Sequence, residues 1–447
     1  MNVGQFLLSG ASQRTINVVN NIYRSILYKG ASIVATLLLV PLSLRYLDKE
    51  QYGIWVTLTS LTGWLTFFDI GIGNGLRNRL AEALTRNQLV EARELVSTAY
   101  AFVGALMALL WVVFLMASSF INWPKIFGVN DVGERELRLA CMVVVSLFFA
   151  QIILSLINSV LNAHQKNSRT GLIVLIINLS SLCGVYILVL TAQTSFLLFC
   201  VVQSAVTALT YLTINLYYYY NDFPDIAPSI PYVNLSKLKS IMSLGAQFFI
   251  MQMATVILYQ TNNILIARWF GPSAVTDYNI SYRYFNVISM AFSIIAAPLW
   301  SSFTEAHTQK DYIWIQTTVR RMIVLWIMMQ ACILIMVMNA NWIYRAWTGD
   351  VTDISFSLSV ANAIYVSLYA WNTVFITLLN GVGRIRLQFL LTLVVLAVFF
   401  PLTYGLAIVA GKGVVGIVWA NCLCMAVFSI QAPLQCMRLI KTGISKS

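Results

Sequence analysis

One arginine lies well inside an apolar stretch of this chain, and its charge is the feature best able to do chemistry. The stretch Asp277 to Ser302 is long enough for a membrane helix, and Arg283 lies beyond its first turn. A charge in hydrocarbon costs roughly 2.5–3.5 kcal/mol, so this side chain should face protein or water. At helical spacing, Asn279 and Asn286 share its side. The three residues predict a polar, cationic surface turned away from lipid.

Cations close to the membrane interior favour the binding of an anion, and of phosphate in particular. The donors of a guanidinium match the oxygens of a phosphate. Arg24 and Lys29, at the start of the first apolar run, are two further candidates for this site. For these two, extension of the charged end to the membrane interface is an equally open interpretation. The positive sign of these charges favours an anionic substrate.

Polar residues in two other apolar runs are candidates for supporting roles. Gln252, Tyr259 and Asn263 share one helical face, where they could bond sugar hydroxyls or form hydrogen bonds between helices. Asp69 is the candidate for ion coupling, with a capping role beside glycines as the alternative. Apart from Asp69 and Asp277, the acidic residues fall clearly in connecting segments.

The sequence lacks the patterns of an enzyme, a metal site or a nucleotide-driven pump. It contains no GxxxxGK[ST] loop, no Ser/His/Asp set and no pair of embedded carboxylates. The seven cysteines lie in or beside apolar runs, and the two histidines fall in separate loops. We therefore expect no catalytic residue, no metal and no cofactor.

The composition predicts an all-α polytopic membrane protein. Of 447 residues, 59% are hydrophobic and 10% are charged, and the mean hydropathy is +0.78. Soluble proteins carry about 25% charged residues, and long apolar runs argue against a membrane β-barrel. The net charge of +12 is spread over short loops, which follows the positive-inside rule. We expect a lipid bilayer around the chain and no nucleic acid partner.

Windows of about 20 apolar residues predict about twelve transmembrane helices. If the amino terminus is cytoplasmic, the basic loops fall on the inner side, which places both termini in the cytoplasm. Between spans 2 and 3, residues 73–96 have an amphipathic pattern that predicts an interfacial helix. The predicted spans are 24–44, 52–70, 96–121, 139–162, 171–192, 196–218, 241–267, 277–302, 321–343, 356–379, 387–410 and 414–436.

A proline-rich stretch divides the predicted spans into two groups of six. Arg45 ends the first span as Arg268 ends the seventh, and Glu82 follows the second span as Glu305 follows the eighth, at one common offset. This echo predicts two six-helix bundles related by a pseudo-two-fold axis along the membrane normal. The predicted divisions are a bundle over 1–220, a cytoplasmic linker over 221–240 and a second bundle over 241–447.

Three segments carry a resemblance to a known family. They are VPLSLRYLDKEQYGIWVTL from Val40, FFDIGIGNGLRNRLAEA from Phe67, and ILIARWFGPSAVTDYNISYRY from Ile264. With the layout of two times six spans, the chain resembles Wzx-type O-antigen flippases. That superfamily also contains multidrug and toxin extruders and the lipid II flippase.

The resemblance implies a V-shaped pair of bundles that alternates between inward-open and outward-open states in the bacterial inner membrane. It implies as substrate an oligosaccharide linked to undecaprenyl diphosphate, which enters between spans 1 and 8, where Arg24 and Arg283 lie. A polysaccharide polymerase and chain-length proteins are the implied partners. Two alternatives stay open: a cation-coupled small-molecule extruder on the same fold, and a membrane-bound polymerase or ligase.

Overall fold

The protein's structure is a computed structural model that describes residues 13–65, 71–128, 133–164, 166–191, 194–296, 299–349, 352–384 and 386–444. Within helices, only the backbone is described for residues 13–25 and 243–259 and at a few further positions. The predicted coupling residue, Asp69, lies outside the described residues.

The described residues form helices and short turns, without a strand. The helices of the first half are α1 (Gln13–Tyr46), α2 (Lys49–Leu65), α3 (Ile72–Thr85), α4 (Leu89–Ser118), α5 (Trp123–Phe127), α6 (Glu134–Ser155), α7 (Ile157–Ala163), α8 (Asn167–Leu190) and α9 (Phe196–Tyr217). Those of the second half are α10 (Leu235–Phe270), α11 (Pro272–Ala296), α12 (Leu299–Thr308), α13 (Tyr312–Met338), α14 (Ala340–Thr348), α15 (Phe356–Gly381), α16 (Arg386–Tyr404) and α17 (Gly413–Ile444). The predicted all-α membrane fold is confirmed.

Each predicted span overlaps at least one of these helices. Within the described ranges, nine helical stretches are long and apolar enough to cross a membrane. They do not include α2, which is described over 17 residues, α10, whose side chains are described only in part, or α11, which carries Asp277 and Arg283. The count of twelve spans therefore stays a prediction, whereas the multi-pass membrane class is shown.

The predicted interfacial helix over residues 73–96 is wrong as a single element. The chain forms α3, turns at Arg86 to Gln88, and then begins α4, which continues into the next span. The break lies at Asn87, whose φ of 56° is in the left-handed region. Asparagine tolerates that conformation better than most residues, so the turn is compatible with the local sequence.

Contacts between residues divide the chain into two compact units. The first contains residues 1–47, 62–125 and 130–253, and the second contains residues 48–61, 126–129 and 254–447. Helices α2 and α10 each contribute residues to both units. The boundaries predicted from the sequence, 1–220, 221–240 and 241–447, remain a prediction.

The proline-rich stretch after α9 is fastened to α4 of the first unit. Arg93 donates from Nε to the carbonyl oxygen of Ala227 at 3.1 Å, and its guanidinium lies 4.3 Å from the ring centre of Tyr232. The Thr98 hydroxyl donates to the Asn234 carbonyl oxygen at 3.2 Å and accepts from the Asn234 amide at 2.9 Å. This stretch thus packs against α4 of the first unit rather than forming a free tether.

Candidate anion-binding site

Helix α11 carries the predicted anion-binding arginine and begins at a sharp turn. Gly271, with a φ of 86°, follows α10, and its amide donates to the carbonyl oxygen of Ala267 at 3.0 Å. Pro272 then opens α11 at the first helical position, where its missing N–H removes no helical hydrogen bond. Phe285 and Phe292 are buried on the packed side of α11. The apolar side therefore anchors the helix in the second unit.

Arg283 is half-buried, and its guanidinium makes no hydrogen bond or ion pair with any residue that the structure describes. Tyr52, in the part of α2 that belongs to the second unit, interacts electrostatically with the Arg283 guanidinium. A charged group shielded from water usually has a partner, because desolvation is costly. The unpaired guanidinium is thus available to bind an anion.

The carboxylate nearest to Arg283 in sequence is occupied by another cation. Asp277 forms an ion pair with Lys49, in which Asp277 Oδ2 and Lys49 Nζ lie 2.7 Å apart, and both side chains are mostly buried. The neighbouring Thr276 hydroxyl donates to the Lys49 carbonyl oxygen at 2.6 Å. Because Lys49 neutralises Asp277, the positive charge of Arg283 keeps no acidic partner on this helix.

Among the described residues, several buried polar atoms of α11 and of neighbouring helices have no hydrogen-bond partner. They include the Tyr52 hydroxyl, Asp277 Oδ1, Asn279 Oδ1 and Ser289 Oγ. Asn279 precedes Arg283 by one helical turn. An unsatisfied buried polar group costs about 1–3 kcal/mol, which a polar ligand or ordered water would offset. The helix that carries Arg283 therefore also carries unused hydrogen-bonding groups.

Asn263 on α10 makes a hydrogen bond between helices, one of the two roles that the sequence left open. Its Nδ2 donates to the Ser60 hydroxyl at 2.8 Å, while its Oδ1 has no partner among the described residues. The adjacent Asn262 donates to the Tyr278 hydroxyl at 3.2 Å and accepts from Asn421 Nδ2 at 3.1 Å. Helices α10, α11 and α17 are joined through these amides.

Comparison with known proteins identifies the family. The family described as polysaccharide biosynthesis protein matches residues 18–304, which is more than half of the chain. The chain belongs to the polysaccharide biosynthesis protein family. A candidate O-antigen transporter of Salmonella typhimurium is 19% identical over 80% of this chain and 83% of its own length. A candidate O-antigen export protein of Yersinia pseudotuberculosis is 20% identical over 60% of this chain and 61% of its own length.

Solved structures of multidrug transporters share the fold of this family member. An inward-facing MATE family transporter of the MOP superfamily matches with a TM-score of 0.77 at 14% identity, covering 95% of this chain and 99% of that one. An outward-facing MATE transporter matches with a TM-score of 0.66 at 15% identity, covering 96% and 97%. These solved structures show the fold. The family and the relatives named for O-antigen transport or export confirm the prediction of a transport protein rather than an enzyme.

In the second unit, the structure describes the side chains of four predicted site residues. Asn279, Arg283 and Asn286 lie on α11, and Asn263 lies on α10, whose Asn262 is bonded to α11. Asn286 is half-buried.

The other predicted residues lie elsewhere or outside the description. Lys29 is an exposed residue of α1 in the first unit. Arg24 lies in α1 and both Gln252 and Tyr259 lie in α10, but their side chains are outside the described residues. Their substrate-binding roles stay predictions.

Sequence reasoning missed the groups on other helices that interact with α11. Tyr52 and Lys49 belong to α2 and are more than 200 positions away in the chain. Asn362, inside the apolar run that became α15, was a detectable signal, because an amide in a membrane helix usually has a buried partner. Its partner on α11, Ser281, could not be read from spacing within one helix.

Proposed function

We propose that this transporter is a flippase that moves oligosaccharide linked to undecaprenyl diphosphate from the cytoplasmic to the outer face of the bacterial inner membrane. Two findings support the proposal: the family, and relatives whose names refer to O-antigen transport or export. The observation that carries it is the half-buried guanidinium of Arg283, which is unpaired among the described residues. Arg283 holds the diphosphate, because an organic cation would be repelled by it.

The chemical problem is to carry a charged diphosphate and several sugars past hydrocarbon. Removal of the diphosphate and the sugars from water is unfavourable unless polar groups of the protein replace their hydrogen bonds to water. Arg283 supplies a forked set of donors to the phosphate oxygens. Asn279 and Asn286, one turn to either side, supply amides that bond either the phosphate or the first sugar. Alternation between two accessible states then moves the bound headgroup.

Other groups have supporting roles in the proposal. Arg24 and Lys29 contact the anionic headgroup at the first span, and Asn263, Gln252 and Tyr259 bond sugar hydroxyls. Asp69 couples transport to an ion gradient. Both termini are cytoplasmic, and a polysaccharide polymerase with chain-length proteins receives the product. None of these assignments is needed for the central test.

The deciding experiment measures lipid-linked saccharides and surface polysaccharide in cells that lack this protein. Extracted lipids are analysed by mass spectrometry after complementation with the wild type, Arg283→Ala or Arg320→Ala. Arg320 is an exposed arginine on α13 and serves as the matched control. We expect single repeat units on the diphosphate carrier to accumulate with Arg283→Ala and to be cleared with Arg320→Ala.

The rival function predicts a different pattern. The structural neighbours include multidrug resistance transporters of the MATE family, so a cation-coupled extruder on this fold is the second candidate. In that case the deletion leaves the carrier-linked pool unchanged and sensitises the cells to cationic drugs. That result, or full activity of Arg283→Ala at a normal protein level, rules out the anion-site proposal.

A further inference from the structure

We propose that Tyr344 is a positioning residue for Arg283, and that it sets the orientation of the guanidinium through Ser281 and Tyr284. The inference rests on the proposed function of Arg283 as the phosphate-binding group. Tyr344 lies on α14, a nine-residue helix between α13 and α15. It does not itself contact the substrate.

A buried hydrogen-bond network joins α14, α15 and α11. The Tyr344 hydroxyl donates to Ser281 Oγ at 3.2 Å and lies 3.0 Å from Ser359 Oγ. Asn362 Nδ2 donates to the same Ser281 oxygen at 3.0 Å. Ser281, Ser359, Asn362 and Tyr344 are all at most 2% exposed. In such a dry site, each bond has a restricted geometry, because no water can replace a lost partner.

The ring of Tyr344 also contacts a second residue of α11, Tyr284. Tyr284 packs against it edge to face, with ring centres 5.4 Å apart and an angle of 77° between the planes. Ser281 and Tyr284 are three positions apart and therefore share one side of the helix. Arg283 lies between them in sequence. Two contacts on one side fix the rotation of α11 about its axis, and with it the direction in which Arg283 points.

Orientation matters more for arginine than for lysine at a phosphate site. The guanidinium is planar and binds through a fixed fork of donors, whereas an ammonium is a compact charge on a flexible stem. A small rotation of α11 therefore weakens binding by Arg283 more than binding by a lysine at the same position. This difference separates a positioning role from a general contribution to folding.

The experiment uses the purified full chain and undecaprenyl diphosphate as the probe. The dissociation constant of undecaprenyl diphosphate is obtained from the dependence of the protein's melting temperature on the concentration of this ligand. Tyr344→Phe removes the hydroxyl but keeps the ring, and Ser281→Ala removes the shared acceptor. Both are measured with Arg283 present and in the Arg283→Lys background. Asn372→Ala is the control: Asn372 is a buried amide on α15 that donates to the Met425 carbonyl oxygen of α17 rather than to α11.

We expect Tyr344→Phe and Ser281→Ala to weaken binding about three- to tenfold with Arg283 present, which is the range for a lost neutral hydrogen bond. In the Arg283→Lys background the loss should be less than about twofold. Asn372→Ala should leave binding unchanged in both backgrounds. Equal losses in the two backgrounds, or no loss for either variant, would refute the positioning role.

This outcome can be separated from failure of the proposed function. If Arg283→Ala binds the probe as tightly as the wild type, the phosphate-binding role of Arg283 itself is wrong. If Arg283→Ala loses binding while Tyr344→Phe does not, only the positioning role is wrong. The melting temperature without ligand reports any general loss of stability.

Discussion

A close approach between α2 and α11 gives a prediction whose size follows from the structure. A Cβ atom added at Gly53 would lie 1.9 Å from the carbonyl oxygen of Pro272 and 2.5 Å from its carbonyl carbon. Ordinary contacts begin near 3.4 Å. Gly53→Ala must therefore separate the two backbones by about 1.5 Å at this point, since a backbone carbonyl cannot rotate away as a side chain can.

Such a separation should affect both stability and function. Overpacking typically costs about 1–3 kcal/mol, and the upper part of that range is expected where backbone meets backbone. The melting temperature of Gly53→Ala should be about 5 °C below that of the wild type. The shift also displaces the start of α11, and a displacement of about 1 Å can weaken a binding geometry severely. We expect accumulation of carrier-linked saccharide in cells that express this variant.

Gly104→Ala is the matched control for Gly53→Ala. Gly104 lies inside α4, and a Cβ atom added there would meet no neighbouring atom within 4 Å. Alanine is favoured over glycine within a helix by roughly 0.5–1 kcal/mol, so this change should leave or raise the melting temperature. The assay is thermal unfolding in detergent, followed by the carrier-linked saccharide measurement. Equal melting temperatures for Gly53→Ala and the wild type would show that α2 and α11 do not make this contact.

Three further changes test the charges of the fold. Lys49→Ala should lower the melting temperature because it leaves the mostly buried Asp277 carboxylate without its ion-pair partner. The double variant Lys49→Asp with Asp277→Lys should recover part of this loss of stability. A double variant with a melting temperature no higher than that of Lys49→Ala would contradict the pairing. Burial lowers the pKa of His164, and the nearby Lys166 adds to that effect. The unfolded chain therefore takes up a proton first as the pH falls below about 6.5, so the stability of the folded protein should decline as the pH falls further. His164→Gln should reduce this decline, and an unchanged pH profile of that variant would refute the reasoning. Arg283→Met should raise the melting temperature without ligand, because it removes an unpaired half-buried charge, and should abolish stabilisation by undecaprenyl diphosphate; a lower melting temperature would mean that Arg283 has a structural partner.

The helices could largely be predicted from the sequence, because a bilayer requires long apolar helices and forbids exposed backbone. The position of Arg283 beside Asn279 and Asn286 followed from helical spacing alone. The turn at Asn87 could not be predicted with the same certainty, since the amphipathic pattern continues through it. A local backbone change leaves almost no trace in the periodicity of the side chains.

The partners of the site were beyond sequence reasoning for a different reason. The sequence indicates only that Asp277 is an acid near the end of a span, whereas the structure pairs it with Lys49 from a distant segment. The bonds of Ser281 with Tyr344 and Asn362 likewise join separate helices. Spacing within one helix shows which residues share a face. It does not show which other helix that face meets.

Charges and polar groups on α11 fall into two classes, those with a partner on another helix and those without one among the described residues. Asp277 is neutralised by Lys49, and Ser281 receives two donors in a dry network. Arg283 has neither an ion pair nor a hydrogen bond within the described ranges, although a buried charge without a partner is unfavourable. If α11 needed only to be stable, an apolar residue at position 283 would serve better. We therefore propose that an anionic ligand supplies the missing partner, and that the bonds of Ser281 and Tyr344 hold the charge in one direction.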